Sequence, residues 1–239
     1  MATLIFDIET VGEDFDALDE TTQDALTRWL RKEHAGDDTG YAAALEDLKQ
    51  GLGFSPLTGE VVAIGMLEGE QDRGAVYYQA PGQKHEDIER DSIIFKQMTE
   101  KEMLAHFWEV AAHCDEFVTF NGRGFDVPFL VLRSAIHGIR PSKDLLANRY
   151  LGSQRYDAKH VDLQDQLSFY GASWRQGSRS LHMYCRAFGI ESPKSGGVTG
   201  DDVATLFREK RFLDIAIYNV GDIRATKALY EKWRDFIRA

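Results

Sequence analysis

Short apolar runs and longer stretches of helical periodicity alternate along this chain. Runs of strand length, rich in Val, Ile, Leu and Phe, occupy residues 3–9, 61–67, 75–79 and 116–120. Apolar residues at helical intervals predict helices over 92–113, 125–135 and 212–237. These predicted elements decide where the acidic residues fall, at the end of a strand or on the turn of a helix.

An acidic stretch from Glu13 to about Gln50 separates the first two predicted strands. Its apolar residues have helical spacing, a break falls at 36–40, and a second short helix is predicted over 41–49. A chain of 239 residues fits one substantial domain. We therefore expect one domain over residues 1–239, with a helical insertion at about 13–50.

The first strand carries two carboxylates, Asp7 and Glu9, within an apolar run. Residues two apart in a strand share a face, so both side chains project on the same side. Two such close acids repel each other and resist ionising together, and a hard divalent cation would offset the repulsion. The alternative is a strand end that emerges into solvent, where acids cost little.

A lone acid, Asp126, follows the run at 116–120 and a loop that contains Gly122 and Gly124. It stands at the predicted start of a helix, beside Pro128, a residue that suits the first helical turn. Asp126 is either a functional acid or a helix N-terminal acid stabilised by the helix dipole. Arg123, in the same loop, is either a surface residue or a phosphate contact.

Tyr218 and Asp222 are four apart in the last predicted helix and therefore lie on one face of it. Tyr218 alone would read equally well as a core residue with its hydroxyl on a polar neighbour. Taken with Asp7, Glu9 and Asp126, the pair completes a set of four carboxylates and one phenol. We interpret this set as a divalent-metal site for phosphodiester hydrolysis.

The three segments, in this order, resemble the three motifs of the DEDD superfamily of 3′–5′ exonucleases, specifically its tyrosine subclass. The histidine subclass would place His where this chain has Ile217. More narrowly, the chain is similar over residues 2–235 to stand-alone predicted 3′–5′ exonucleases related to the exonuclease domain of family B DNA polymerases. The stretches 56–64, 160–163, 180–181 and 189–190 also match that group. At position 219, where its members often carry Cys, this chain has Asn219.

The resemblance implies a three-layer α/β fold of the RNase H-like type, with a mixed central sheet, helices on both faces, and the first two acids on the central strand. It implies that two divalent cations, Mg²⁺ or Mn²⁺, are held by the four acids and that the phenol positions the attacking water. Nearby residues are implied to contact the substrate, and one further acid is expected to be a supporting or structural group near the site. By role, these residues are the ligands Asp7, Glu9, Asp126 and Asp222, the water-positioning Tyr218, the substrate contacts Thr10, Asn121 and Phe125, and the supporting acid Asp162. Metal binding through His160, which forms a His-x-Asp pair with Asp162, is a further, less favoured alternative.

The implied activity is removal of nucleotides from the 3′ end of single-stranded DNA. Two alternatives stay open: a 3′–5′ exoribonuclease acting on short RNA, and a nucleic-acid-binding adaptor without catalysis. The catalytic acids do not read the sugar, so a contact to the 2′-OH would decide between DNA and RNA.

The net charge of −11 is unusual for a protein that binds nucleic acid. Residues 133–194, however, carry ten Lys and Arg against five Asp and Glu. This basic segment is a candidate surface for a single strand, and five of its aromatic residues are candidates for stacking on unpaired bases, namely Tyr150, Tyr156, Phe169, Tyr170 and Trp174. Each of them is equally well explained as an ordinary core or surface residue.

The sequence contains no apolar run long enough to span a bilayer, so no membrane partner is expected. Cys114 and Cys185 are too few and too far apart for a disulfide framework or a zinc site, which favours a reducing, cytoplasmic location. The oligomeric state is not predicted by any feature of the sequence.

Overall fold

A computed structural model describes residues 2–173, 180–192 and 200–238. Within them the chain forms a mixed seven-stranded sheet of order β4-β5-β3-β2-β1-β6-β7. The pairs β1–β6, β6–β7 and β3–β5 are parallel, whereas β1–β2, β2–β3 and β4–β5 are antiparallel. The strands are β1 (Thr3–Gly12), β2 (Gly59–Glu68), β3 (Gly74–Tyr78), β4 (Ile88–Arg90), β5 (Ile93–Gln97), β6 (Glu116–Thr119) and β7 (Lys159–Asp162).

Helices cover both faces of the sheet and produce three layers. The helices of the described residues are α1 (Glu20–Glu33), α2 (Asp38–Gly51), α3 (Glu100–Ala112), α4 (Asp126–Ile136), α5 (Leu163–Leu167), α6 (Leu181–Phe188), α7 (Val203–Arg208) and α8 (Phe212–Phe236). Short 3₁₀ turns occupy Phe15–Ala17, Leu52–Phe54, Leu151–Ser153, Tyr156–Ala158 and Gly200–Asp202.

The alternation of side chains along β1 explains how the layers form. Leu4, Phe6 and Ile8 point to one face and pack with the apolar residues of α3 and α4. Ile5 points to the other face and packs in a second cluster with Ile215 and other residues of α8. Residues of β1 in odd positions therefore face α8, and this places Asp7 and Glu9 beneath that helix.

The helix predicted over 92–113 is wrong in its first part. Ile93–Gln97 form strand β5, and the helix begins only at Glu100, where Thr99 and Glu102 form a capping box. Ile93 and Phe95 are buried while Ile94 is exposed. This alternation has the period of a strand, but it runs directly into the helical pattern that follows.

The first strand is an interior strand, but β2 rather than β1 occupies the middle of the sheet, so the expectation of acids on the central strand is corrected by one position. The register between β1 and β2 shifts between Glu9 and Thr10, as a β-bulge does. The predicted insertion forms α1 and α2, and α2 starts at Asp38, three residues earlier than predicted.

Among the described residues, no helix combines the length and hydropathy needed to cross a membrane. Several residues of the basic segment, Trp174, Arg175, Arg179 and Lys194, lie outside the described residues.

Candidate active site

Three carboxylates meet where the end of β1 passes under α8. One oxygen each of Asp7, Glu9 and Asp222 lie within 4.8 Å of one another. Glu9 is buried and Asp7 is half-buried. The two strand acids converge because they share a face of β1, and Asp222 joins them because α8 crosses that face.

The fourth acid, Asp126, contacts the backbone of the same strand. Strand β6 pairs with β1 only as far as Ile5, so the backbone N–H of Ile8 has no strand partner there. The Ile8 N–H donates to Asp126 Oδ1 at 3.0 Å, and Asp126 is 3% exposed. Asp126 is not one of the three mutually close acids, but its charge is the second-largest cause, after burial, of the raised pKa of Asp7.

The electrostatics of this acid cluster, which we define as Asp7, Glu9, Asp126 and Asp222, are those of like charges held together. Burial, then the charges of Asp126 and Asp222, raise the pKa of Asp7 well above its usual value. Burial, then the charge of Asp222, does the same for the pKa of Glu9. Burial also raises the pKa of Asp126 to about 7, although the Ile8 N–H lowers it. Asp7, Glu9 and Asp126 therefore resist ionisation unless a positive charge is supplied.

Tyr218 lies one turn before Asp222 on α8, and its hydroxyl is hydrogen-bonded to the Asp222 carboxylate. Burial first, and then the charge of Asp222, raises the pKa of this phenol further above its ordinary value near 10. The hydroxyl is thus protonated throughout the physiological range. It can donate or accept a hydrogen bond, but it cannot remove a proton from water.

Asn219 is a component of the site to which the sequence assigned no role. Its side chain is 0% exposed, and its Nδ2 donates to Asp7 Oδ2 at 2.8 Å and to Glu9 Oε1 at 3.2 Å. One neutral amide thus bridges both strand acids and lowers the pKa of each, against the effect of burial. The spacing of Asn219 and Asp222, three residues apart on one helix face, was the available signal.

Gly65 on β2 makes room for that asparagine. It pairs with Asp7 across the sheet, and a Cβ at this position would lie 1.9 Å from Asn219 Oδ1. That oxygen is buried without a hydrogen-bond partner among the described residues. The Asn219 side chain therefore directs its N–H donors at the two acids, and this orientation leaves its Oδ1 without a hydrogen bond.

The structure makes Asp162 a structural acid. Its Oδ1 accepts from the N–H of Asn121 at 3.0 Å and its Oδ2 from that of Arg123 at 2.9 Å. It also accepts from Gln164 N–H at 2.9 Å and so caps α5. Asp162 therefore fixes the loop that leads from β6 to Asp126, within which Asn121 adopts a positive φ of 64°.

Arg123 and His160, both open to a functional reading in the sequence, are engaged in structural contacts. The Arg123 guanidinium donates to the carbonyls of Leu145 and Leu146 at 2.9 and 3.0 Å. The two ring nitrogens of His160 contact Thr119 Oγ1 at 2.8 Å and the Leu145 carbonyl at 3.1 Å. Burial lowers the pKa of His160 to about 4, so the ring is neutral.

The residues expected to contact substrate follow the strand acids or precede Asp126 in the sequence. Thr10 follows Glu9 directly, and its hydroxyl donates to the Gly53 carbonyl at 2.7 Å, which fixes the turn after the insertion. Phe125 is half-buried, and its ring centroid is 6.3 Å from that of the exposed Phe54. Asn121 is exposed at the start of its loop.

The fold is shared with a polymerase of known structure. The family B DNA polymerase from the hyperthermophilic archaeon Pyrobaculum calidifontis aligns with a TM-score of 0.59 at 18% sequence identity. The alignment covers 98% of this chain and 24% of that chain, so this protein spans about a quarter of the polymerase's length. The RNase H-like α/β fold is thereby confirmed.

Among curated proteins, no sequence matches this chain. A family match, in contrast, extends over residues 75–237, which is more than half of the chain. The matching family is described as a predicted 3′–5′ exonuclease related to the exonuclease domain of PolB. This chain belongs to that family of predicted 3′–5′ exonucleases.

Proposed function

We propose that the protein is a metal-dependent 3′–5′ exonuclease of the tyrosine subclass that removes nucleotides from single-stranded DNA. The observation that carries the proposal is the convergence of Asp7, Glu9 and Asp222 to within 4.8 Å, from one strand and a helix far away in the sequence. Family membership supports the exonuclease class.

The chemistry of the acid cluster fits divalent cations of the Mg²⁺ type. Its donors are carboxylate oxygens, which such hard ions prefer. Burial and the neighbouring carboxylates raise the pKa values of Asp7 and Glu9, and a bound cation would offset both effects. Asp7, Glu9, Asp126 and Asp222 would hold the ions, which when bound would supply an activated water and neutralise charge on the phosphodiester.

The protein's own groups have distinct tasks in this proposal. Asn219 holds the two strand carboxylates in a fixed relative orientation through its two N–H groups. Tyr218, protonated because its pKa is raised, orients the attacking water by hydrogen bonding. Asp162 acts indirectly, because it fixes the loop that precedes Asp126 in the chain.

The proposal is tested with single-stranded DNA oligomers that carry a label at the 5′ end. We expect stepwise shortening from the 3′ end in Mg²⁺ or Mn²⁺, no shortening in EDTA, and protection by a blocked 3′ terminus. Matched RNA oligomers test the choice of sugar, and faster degradation of RNA would overturn the DNA assignment.

Two variants on one helix separate the site from the fold. Asp222→Asn removes a member of the acid cluster, and Asp214→Asn removes an acid of the same helix that pairs with Arg211 outside the cluster. We expect the first to abolish shortening and the second to leave it unchanged. Persistent activity of Asp222→Asn would contradict the proposed mechanism, and binding without any release by the wild type would favour the adaptor.

A further inference from the structure

Two consecutive aromatic residues with a strained backbone, the exposed Phe169 and the half-buried Tyr170, follow helix α5 and are not members of the acid cluster. Helix α5 ends in a Schellman-type turn, in which Phe169 N–H donates to Gln166 O and Tyr170 N–H donates to Asp165 O. Phe169 and Tyr170 have φ values of 51° and 54°. Glycine is the usual residue at the position of Phe169, because a side chain is strained there.

The strained turn presents a ring to solvent instead of burying it. Phe169 is 58% exposed, and the neighbouring Tyr150 is 60% exposed. Strain of this kind persists only where the surroundings impose it, and it concentrates at functional sites. Because the Phe169 ring is mostly exposed, its burial adds little stability. The turn therefore has no evident structural reason to carry Phe at this position.

Hydrogen bonds, a ring contact and an ion pair hold Tyr170 and the Tyr150 segment in place. The Tyr170 hydroxyl accepts from Leu151 N–H at 3.0 Å and from Gln166 Nε2 at 2.8 Å. The Tyr170 ring packs against Tyr150, with centroids 4.9 Å apart. Arg149 ties the Tyr150 segment to α5 through a two-pronged contact with Asp165 at 3.0 and 2.5 Å. We name Tyr150, Phe169 and Tyr170 together the aromatic platform.

The aromatic platform lies at the same edge of the sheet as the acid cluster. Strands β1, β6 and β7 are mutually parallel, so their C-terminal ends share one edge. Asp162 ends β7, supports the loop before Asp126, and caps α5. Helix α5 has five residues and is about 7.5 Å long, so a single short helix separates this support from the platform.

Charge favours a polyanion as the occupant. Residues 133–173, the described part of the basic segment up to the platform, carry six Lys and Arg against four Asp and Glu, whereas the whole chain has a net charge of −11. Arg133, Arg149 and Arg155 form ion pairs with acids, so the charge offered to a polyanion comes mainly from Arg140, Lys143 and Lys159. Proteins hold unpaired bases without reading their sequence by stacking them on aromatic rings beside basic residues.

We infer that the aromatic platform binds the single-stranded substrate upstream of its 3′ end. Bases would stack on Phe169 and Tyr150, and Tyr170 would support the Tyr150 ring. The inference rests on the proposed function, because it assigns the same strand to the platform and to the acid cluster. It assigns a role in affinity for longer strands and none in cleavage of the terminal bond itself.

The strain at Phe169 offers a sharp test. Phe169→Gly removes the ring and relieves the backbone, so the variant should unfold at the same or a higher temperature than the wild type. Its affinity for an oligothymidylate of about a dozen nucleotides should nevertheless fall roughly tenfold. Fluorescence anisotropy with Ca²⁺ in place of Mg²⁺ measures this affinity, and Phe169→Tyr, which retains a ring, should bind like the wild type.

The control is Phe236→Ala. Phe236 is 78% exposed and lies about 21 Å beyond Asp222 along α8, so its removal should leave binding unchanged. Tyr150→Ala should weaken binding like Phe169→Gly. Wild-type affinity in a stably folded Phe169→Gly would overturn the inference, and would leave the exposed rings to another partner such as a protein.

A small substrate separates this inference from the proposed function. Thymidine 5′-p-nitrophenyl phosphate has no upstream bases, so platform variants should hydrolyse it at the wild-type rate while their KM for the oligomer rises. If the wild type cleaves neither substrate, the proposed nuclease activity fails. The platform is then judged on oligomer binding alone, where loss of affinity in Phe169→Gly still supports it and unchanged affinity still overturns it.

Discussion

The acid cluster and Glu100 are two acidic sites in this protein whose pKa values shift in opposite directions. In the acid cluster, burial and like charges raise the pKa values of Asp7 and Glu9. At Glu100, burial acts in the same direction, but hydrogen bonds from Arg133, His137 and the Val61 N–H more than offset it and leave the pKa lowered.

The geometry at Glu100 is that of a complete ion pair. Arg133 donates to both carboxylate oxygens at 2.8 Å, and His137 Nε2 lies 2.6 Å from one of them. Glu100 is 5% exposed and joins α3, α4 and β2. Burial alone therefore does not distinguish a functional acid. A buried acid balanced by a cationic side chain stabilises the fold, whereas a set of acids held together by neutral hydrogen-bond donors such as the Asn219 amide is poised to bind a cation.

The largest effect is expected from a substitution within the acid cluster. Asp7→Asn should abolish hydrolysis, a loss of roughly a thousandfold or more, and yet raise the stability of the metal-free protein, because it removes a repelling charge. Thermal unfolding in EDTA measures the second effect. Mn²⁺ should raise the unfolding temperature of the wild type but not that of Asp7→Asn. A metal-free Asp7→Asn protein that is less stable than the wild type would contradict the claim of uncompensated charge.

The next largest effect is expected at Glu100, where a substitution should lower stability and leave hydrolysis unchanged. Glu100→Gln leaves the half-buried Arg133 without its charge partner and should cost about 3–5 kcal/mol of unfolding free energy. Hydrolysis per folded molecule should be unchanged, since Glu100 contacts no member of the acid cluster. Denaturant unfolding measures the loss, and Glu102→Gln, in the exposed capping box of the same helix, is the milder control.

The two regions should also respond to pH with opposite sign. The pKa of Asp126 is raised to about 7 from an unfolded value near ~4. Its protonation therefore stabilises the metal-free protein fully below about pH 4, and this contribution is lost as pH rises towards 7. Glu100 has a lowered pKa, so its contribution is present above its unfolded value near ~4.3 and is lost as pH falls further.

Urea unfolding between pH 5 and 7 in EDTA tests the first half of that contrast. The wild type should lose stability as pH rises across this range, by at most about 1.4 kcal/mol for each pH unit and each titrating group. Asp126→Asn should show a shallower slope. An equal slope in both proteins would show that Asp126 titrates normally in the folded state.

Removal of Asn219 should weaken the one neutral link between the strand acids. Without its N–H groups, Asp7 and Glu9 lose their shared donor, and we expect Asn219→Ala to bind Mn²⁺ about 10–100-fold more weakly. Titration followed by the paramagnetic signal of free Mn²⁺ measures this. Ile217→Ala, on the exposed side of the same helix, should bind Mn²⁺ like the wild type.

The contrast between these regions also shows where sequence reasoning succeeds. The spacings of Asp7 with Glu9 and of Tyr218 with Asp222 are local, so the period of a strand or a helix predicts a shared face. Only the resemblance to the exonuclease family predicted that the strand face and the helix face meet. In the structure, Asp7, Glu9 and Asp222 do lie together. Strand β5 was missed because its three-residue alternation runs directly into the pattern of a helix.

The contacts that no local pattern encodes were not predicted. Asn219 lies over Gly65 because α8 crosses β2, and nothing in the spacing of these residues indicates the crossing. Glu100, Arg133 and His137 come from two helices whose packing decides that they meet. Such long-range contacts depend on the fold as a whole, so their residues look like ordinary surface residues in the sequence.

The smallest expected effect concerns Tyr218, which belongs to the acid cluster's surroundings without adding charge at neutral pH. Because its hydroxyl is protonated and hydrogen-bonded to Asp222, Tyr218→Phe removes an orienting contact and no ionised group. We expect the hydrolysis rate to fall about tenfold, well short of the loss in Asp7→Asn. Mn²⁺ affinity should be nearly unchanged, and the pH–rate profile should keep its shape. Loss of activity as complete as in Asp7→Asn would mean that the phenol does more than orient water.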